Sequence, residues 1–229
     1  MKSISRLAFL AAVGAVGLCA NSAAQAVTFD LTSCHISTGC PAAGTVFGTV
    51  SLTQSGTSVV FDVVLNNGSR FVETGAGGDS LFLFNDTLAG STVTGAFATL
   101  DGVQTSLAIS GATNQPPIHA DGTGDFTAAI FCTTASQCNG GSTPNINDLH
   151  FTVTNATIAQ LSGVSNANAA GNLFVADILC GATVTGCAGF TGPVDVSIPG
   201  PIVGAGLPGL VIACGGLLGL ARRRRQKIV

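Results

Sequence analysis

Tryptophan and tyrosine are absent from this chain, and phenylalanine, with 13 residues, is its only aromatic. Sugar-processing clefts usually stack rings on Trp or Tyr, so the composition argues against one here. Basic residues are almost as scarce. Of 8 Lys and Arg, Lys2 and Arg6 stand at one end and Arg222 to Arg225 with Lys227 at the other, which leaves Arg70 alone between them. All 11 acidic residues fall between those ends, giving residues 27–198 a formal charge of −10. Such a surface repels phosphate backbones and excludes nucleic acid as a partner. It also argues against adhesion to anionic lipid headgroups. A cation, a basic partner or a neutral glycan remains compatible with it.

Catalytic signatures are missing too. There is no G-x-S-x-G elbow, no H-E-x-x-H, no P-loop, no dinucleotide fingerprint and no C-x-x-C pair. Ser, His and Asp all occur, but a Ser-rich chain singles out no triad. Paired carboxylates for glycoside hydrolysis could be drawn from 11 acids, yet no spacing selects two of them. The expectation is a protein that is not an enzyme and needs no cofactor.

Both ends are informative. Lys2 and Arg6 precede an apolar run from Leu7 to about Leu18, followed by Asn21-Ser22 and the small-residue pattern Ala24-Gln25-Ala26. This is the layout of a secretory signal peptide, residues 1–26, with cleavage after Ala26. At the other end, residues 202–221 carry no charge over 20 positions, long enough to cross a bilayer core as a helix. Six glycines and Pro208 would weaken a soluble helix but are tolerated in a membrane one. The basic tail 222–229 then acts as a stop-transfer signal, keeping itself cytoplasmic and the body outside.

The body, residues 27–198, alternates short β-branched runs with turn signals. In "SVVFDVVLNN" Val59, Phe61, Val63 and Leu65 share one face, and Asn67-Gly68 follows as a turn. Together with "GTVFGTVSLT" this reads as a hairpin. Further strand candidates are 80–84, 91–100, 104–110, 125–131, 149–158, 173–179 and 194–198, with one short helix near Ile158 to Leu161. About nine strands with short loops predict an all-β, antiparallel β-sandwich or jelly-roll-like body between an N-terminal signal peptide and a C-terminal transmembrane helix.

Six cysteines lie in that body: Cys34 and Cys40, Cys132 and Cys138, Cys180 and Cys187. Exported chains meet an oxidising compartment, so disulfides are expected. Fifteen connectivities are open, of which the local one is the simplest, because each pair brackets a loop of turn formers. Zinc sites want tighter Cys spacing with His partners, and His35, His119 and His150 show no ligand-like spacing. In "HADGTGDF" Asp121 and Asp125 flank two glycines, an arrangement of oxygen ligands that suits calcium. The loop matches no known calcium pattern, however, so a strand-connecting turn with exposed acids is the expectation and no metal is assigned.

Signal peptide, acidic body, Pro-x-Pro, Gly-rich span and arginine cluster, in that order, resemble the PEP-CTERM proteins of Gram-negative bacteria. The matching residues are Pro199, Gly200 and Pro201, the span to Ala221, and Arg222, Arg223, Arg224 and Arg225. Gly200 stands where the name-giving motif has Glu, so the tail looks like a variant form. The segments "FDVVLNNGSRFVETGAGGDSLFLFN" and "LHFTVTNATI" also look like recurring β segments of those bodies. The resemblance implies a sorting signal at 199–229 read by exosortase, with exosortase and the secretion machinery as partners. It implies an inner-membrane precursor held by the C-terminal span, then delivery to the cell surface or extracellular matrix, where exopolysaccharide of a biofilm is the associated material. The alternatives are a permanently anchored ectodomain binding a glycan or cation, and a divergent hydrolase.

Overall fold

The computed structural model describes residues 25–140 and 146–197. Residues 1–24 of the expected signal peptide, and the tail with Pro199, Gly200, Pro201 and Arg222 to Arg225, therefore lie outside the described residues, whereas Ala26 already opens the first strand. Among the described residues no helix is long and apolar enough to cross a membrane.

Strands dominate, and every ladder between them is antiparallel apart from one isolated bridge. In chain order they are β1 (Ala26–Leu31), β2 (Ser33–Cys34), β3 (Gly48–Ser55), β4 (Ser58–Leu65), β5 (Arg70–Phe71), β6 (Phe82–Phe84), β7 (Val93–Leu100), β8 (Val103–Gln104), β9 (Ile109–Ala112), β10 (Ile118–Ala120), β11 (Gly124–Phe126), β12 (Ala128–Cys132), β13 (Asp148–Thr154), β14 (Asn172–Leu179) and β15 (Thr191–Ser197). The first sheet has the order β1-β3-β4-β13-β7-β8. The second has the order β2-β15-β14-β6-β12-β9, with β5 also paired to β14. A small β10–β11 ribbon stands apart.

The alternation read in the sequence sets which face is inside. Val59, Phe61, Val63 and Leu65 on β4, and Leu149, Phe151 and Val153 on β13, are all buried. From the second sheet, Phe82, Phe84 and Phe174 meet them. Phe61 stacks on Phe151 at 4.5 Å and approaches Phe84 at 5.4 Å, and Phe84 lies 5.7 Å from Phe151. Two sheets thus face each other across one aromatic core. Burying each such ring contributes roughly 1.5–3 kcal/mol.

β14 is buried along nearly its whole length because both of its faces are covered. Phe174, Ala176 and Ile178 face the aromatic core, while Val175 joins Leu83, Ala120, Phe126 and Ala129 in a second cluster on the outer side. The β10–β11 ribbon roofs that second cluster.

Two expected strands are placed differently. The run 125–131 breaks at Thr127 into β11 and β12, because Thr127 is pinned by Gln115 N–H and by Asp86 N–H, which bonds its hydroxyl. The run 104–110 crosses between sheets: Thr105 N–H still bonds Ala98 in the first, while Ala108 already accepts from Thr133 N–H at the edge of the second. A helix, α1 (Ile158–Ser162), forms where expected, with a capping box between Thr157 and Gln160.

The six body cysteines form Cys34–Cys40, Cys132–Cys138 and Cys180–Cys187, with Cα atoms 5.9, 6.3 and 5.8 Å apart. The first and third loops pack back to back. A Cβ on Gly39 would meet the Gly186 carbonyl at 2.8 Å, and both glycines have positive φ.

Candidate functional site: an acidic cavity on the outer face of the second sheet

β5 ends at Phe71, and the chain then crosses the outer face of the second sheet as Val72-Glu73-Thr74-Gly75-Ala76-Gly77-Gly78-Asp79-Ser80. Backbone bonds fix Glu73 from both sides: its N–H donates to Cys138 (2.8 Å) and its carbonyl accepts from Gly140 N–H (3.0 Å). The Cys132–Cys138 disulfide thereby anchors the start of the loop. Gly75–Gly77 make a single 3-10 turn, closed by Gly78 at φ 64°. The turn docks on the ribbon through Asp121 N–H to Ala76 (2.7 Å).

The loop wraps the carboxyl group of Asp177, which projects outward from β14 and is 1% exposed. Asp177 Oδ2 accepts from Thr74 N–H (2.7 Å) and from the Thr74 hydroxyl (2.6 Å). Its Oδ1 is buried without a hydrogen-bond partner among the described residues. Gly77 has to be glycine here, because a Cβ would overlap the Asp177 side chain. Burial pushes the Asp177 carboxyl up to about 7, against the opposing Thr74 bonds and with help from the nearby charges of Asp79 and Glu73. Burial likewise raises Glu73, opposed by the bond from Cys132 N–H to its Oε1 and reinforced by Asp79.

Beside these groups lies a cavity of about 340 Å³ lined by Glu73, Asp79, Phe131, Cys132 and Asn139. Asp79 is exposed and adopts φ 55°, a left-handed conformation that Asp tolerates better than most residues. Arg70 does not neutralise this group, since it bonds Asp101 at 3.4 Å. A cavity lined by the perturbed Glu73 carboxyl, with the buried Asp177 near it, marks a functional-site candidate.

Sequence reasoning selected neither Glu73 nor Asp177. Two signals were present. Glu73 is the only glutamate in the chain and opens a Gly-rich loop closed by Asp79, and Asp177 interrupts the apolar run "LFVADIL".

Elsewhere the fold pairs each histidine with an aspartate. His35 Nε2 lies 2.7 Å from Asp195 Oδ2, and the Ser33 hydroxyl lies 3.1 Å from that same ring nitrogen. A nucleophilic triad needs the carboxylate on one imidazole nitrogen and the hydroxyl on the other, so this arrangement is no proton relay. His150 meets Asp62 across β13 and β4 and stacks on Phe97 at 4.6 Å. Asp125, one of the calcium candidates, pairs with His119 at 2.8 Å across the ribbon, and Asp121 sits in its turn. Among the described residues no group of three or more His, Cys, Asp or Glu is placed to hold a metal ion. No protein-family model, curated protein or solved structure matches this chain.

Proposed function

We propose that this chain is an exported, non-enzymatic binding or structural protein of the cell surface or extracellular matrix, delivered through its C-terminal signal by exosortase. The observation behind this reading is the pairing of all six body cysteines in three local disulfides. Such cross-links persist in an oxidising compartment and not in a reducing cytosol. The signal-like layout of residues 1–26 and the Pro-Gly-Pro, span and arginine order of residues 199–229 agree with it. Its two stacked sheets are read as a β-sandwich of jelly-roll type, rigid enough to present a site on an outer face. Exopolysaccharide is the material it would meet there.

Mass spectrometry of the protein from its native host, after cell fractionation, tests this reading. The expected product begins near Val27, ends near Pro199 to Pro201 and is found outside the inner membrane. A protein that retains residues 202–229 at steady state would instead be a permanently anchored ectodomain.

One observation favours a second reading. Glu73 and Asp79 line one cavity with Asp177 close by, as a divergent hydrolase with paired carboxyl groups would require. Turnover of a glycoside panel that is abolished by Glu73→Gln would establish that reading over the first.

A further inference from the structure

We propose that the Gly-rich loop from Thr74 to Asp79 is a pH-operated latch, closed over Asp177 while that carboxyl group is neutral and opening progressively more often as it ionises. The inference concerns the body alone and is independent of how the protein is sorted.

The loop is a cover held by the group it covers. Asp177 projects outward from β14 and is 1% exposed beneath it. Asp177 Oδ2 holds the loop by accepting from Thr74 N–H (2.7 Å) and the Thr74 hydroxyl (2.6 Å), while Oδ1 is buried without a partner among the described residues. A neutral carboxyl group tolerates that setting. A carboxylate there has two neutral donors on one oxygen and a bare, dry second oxygen, which is costly. Water reaches that oxygen only if the loop moves.

The loop is also built to move as a unit. Gly77 N–H and Asp79 N–H both bond the Thr74 carbonyl (3.0 and 2.9 Å), so the turn holds its own shape. Its flanks are pinned, Glu73 by Cys138 and Gly140, and Leu81 by its N–H to the Ile130 carbonyl (2.8 Å). Between these pins the turn docks through the Asp177 clasp and through Asp121 N–H to the Ala76 carbonyl (2.7 Å). Gly75, Gly77 and Gly78 give the backbone the freedom a hinge requires.

The charges around Asp177 set the direction. The loop brings Glu73 and Asp79, and both reinforce burial in disfavouring another anion. On β15 the same face carries Asp195, which pairs with His35 at 2.7 Å. The β10–β11 ribbon carries Asp121 in its turn and His119 paired with Asp125 at 2.8 Å. On β5, Arg70 is engaged with Asp101. With the loop closed, Asp177 is pushed from 3.8 up to about 7, and in an open loop it regains its ordinary value. The closed form is therefore favoured most below about pH 4 and loses ground up to about pH 7. Opening gains about tenfold per pH unit, roughly a thousandfold in all, and levels off above that range.

Hydrogen exchange read by mass spectrometry between pH 4 and pH 8, on the full chain with disulfides intact in nonionic detergent, tests the latch. After correction for intrinsic exchange, protection of Thr74–Asp79 should fall steeply to pH 7 and then level off. Amides of β4 and β13 should stay better protected than the loop at every pH, because the opening is local. Asp177→Asn keeps an acceptor for Thr74 but does not titrate, so its loop should lose at least about tenfold less protection, the remainder coming from Glu73 and the histidines. Gly77→Ala places a Cβ against the Asp177 side chain and should leave the loop poorly protected even at pH 4, with β4 and β13 still protected. Loop protection that is flat from pH 4 to pH 7, that falls equally in Asp177→Asn, or that equals that of β4 and β13 throughout would each overturn the proposal. Native loop protection in Gly77→Ala at pH 4 would overturn it as well, since the loop would then not close on Asp177.

Discussion

Replacing Asp177 by Asn isolates the energetic consequence of burying that carboxyl group. Unfolded, the group has its ordinary value of 3.8, and folded it is pushed up to about 7. The folded chain therefore holds the proton more tightly. The group's contribution is fully present below about pH 4, declines as pH rises, and is gone above about pH 7, where a charged carboxylate must stay buried. The difference corresponds to about 4 kcal/mol, and Glu73 acts in the same direction. Asn keeps an oxygen to accept from Thr74 N–H and the Thr74 hydroxyl, but it does not titrate. Its amide nitrogen replaces the unpartnered Oδ1, a pH-independent penalty of about 1–3 kcal/mol. The slope with pH is therefore the observable, and the offset is not. Scanning calorimetry suits a chain without Trp or Tyr. From pH 4 to pH 8 the native protein should lose stability relative to Asp177→Asn, with a relative change in Tm on the order of 10 °C. A constant difference between the two proteins across that range would refute the reasoning, as would a variant that loses more stability than the native chain on going to pH 8.

Two further outcomes follow from the core and the cross-links. Phe61→Ala removes the ring that touches Phe151, Phe84 and Phe174 from both sheets, and should cost about 3–5 kcal/mol in thermal or denaturant unfolding followed by circular dichroism. Non-reducing peptide mapping should recover each local cysteine pair, and Cys34→Ser with Cys40→Ser should cost about 2 kcal/mol, since the closed loop is short.

Periodicity and turn chemistry were enough to read the inward face of β4, a short helix near Ile158 to Leu161 and an all-β body. Those signals are local: period-two alternation and turn formers act within a few residues. Short pieces without alternation, such as β2, β5 and β8, could not be read that way, because a two-residue strand exists only by virtue of its partner. The break at Thr127 was hidden for the same reason, being imposed by Gln115 and Asp86 from elsewhere in the chain. The acidic character of the body and its single basic residue, Arg70, follow from composition and order alone. The cavity does not. Glu73 and Asp177 are 104 positions apart, and only the pairing of β5 with β14 brings the Gly-rich loop over the Asp177 carboxyl. Burial, which raises both carboxyl groups, is a property of that packing. Local chemistry thus determined the strands and the charge, while long-range strand pairing decided which of 11 acids lost their water and gained a shared site.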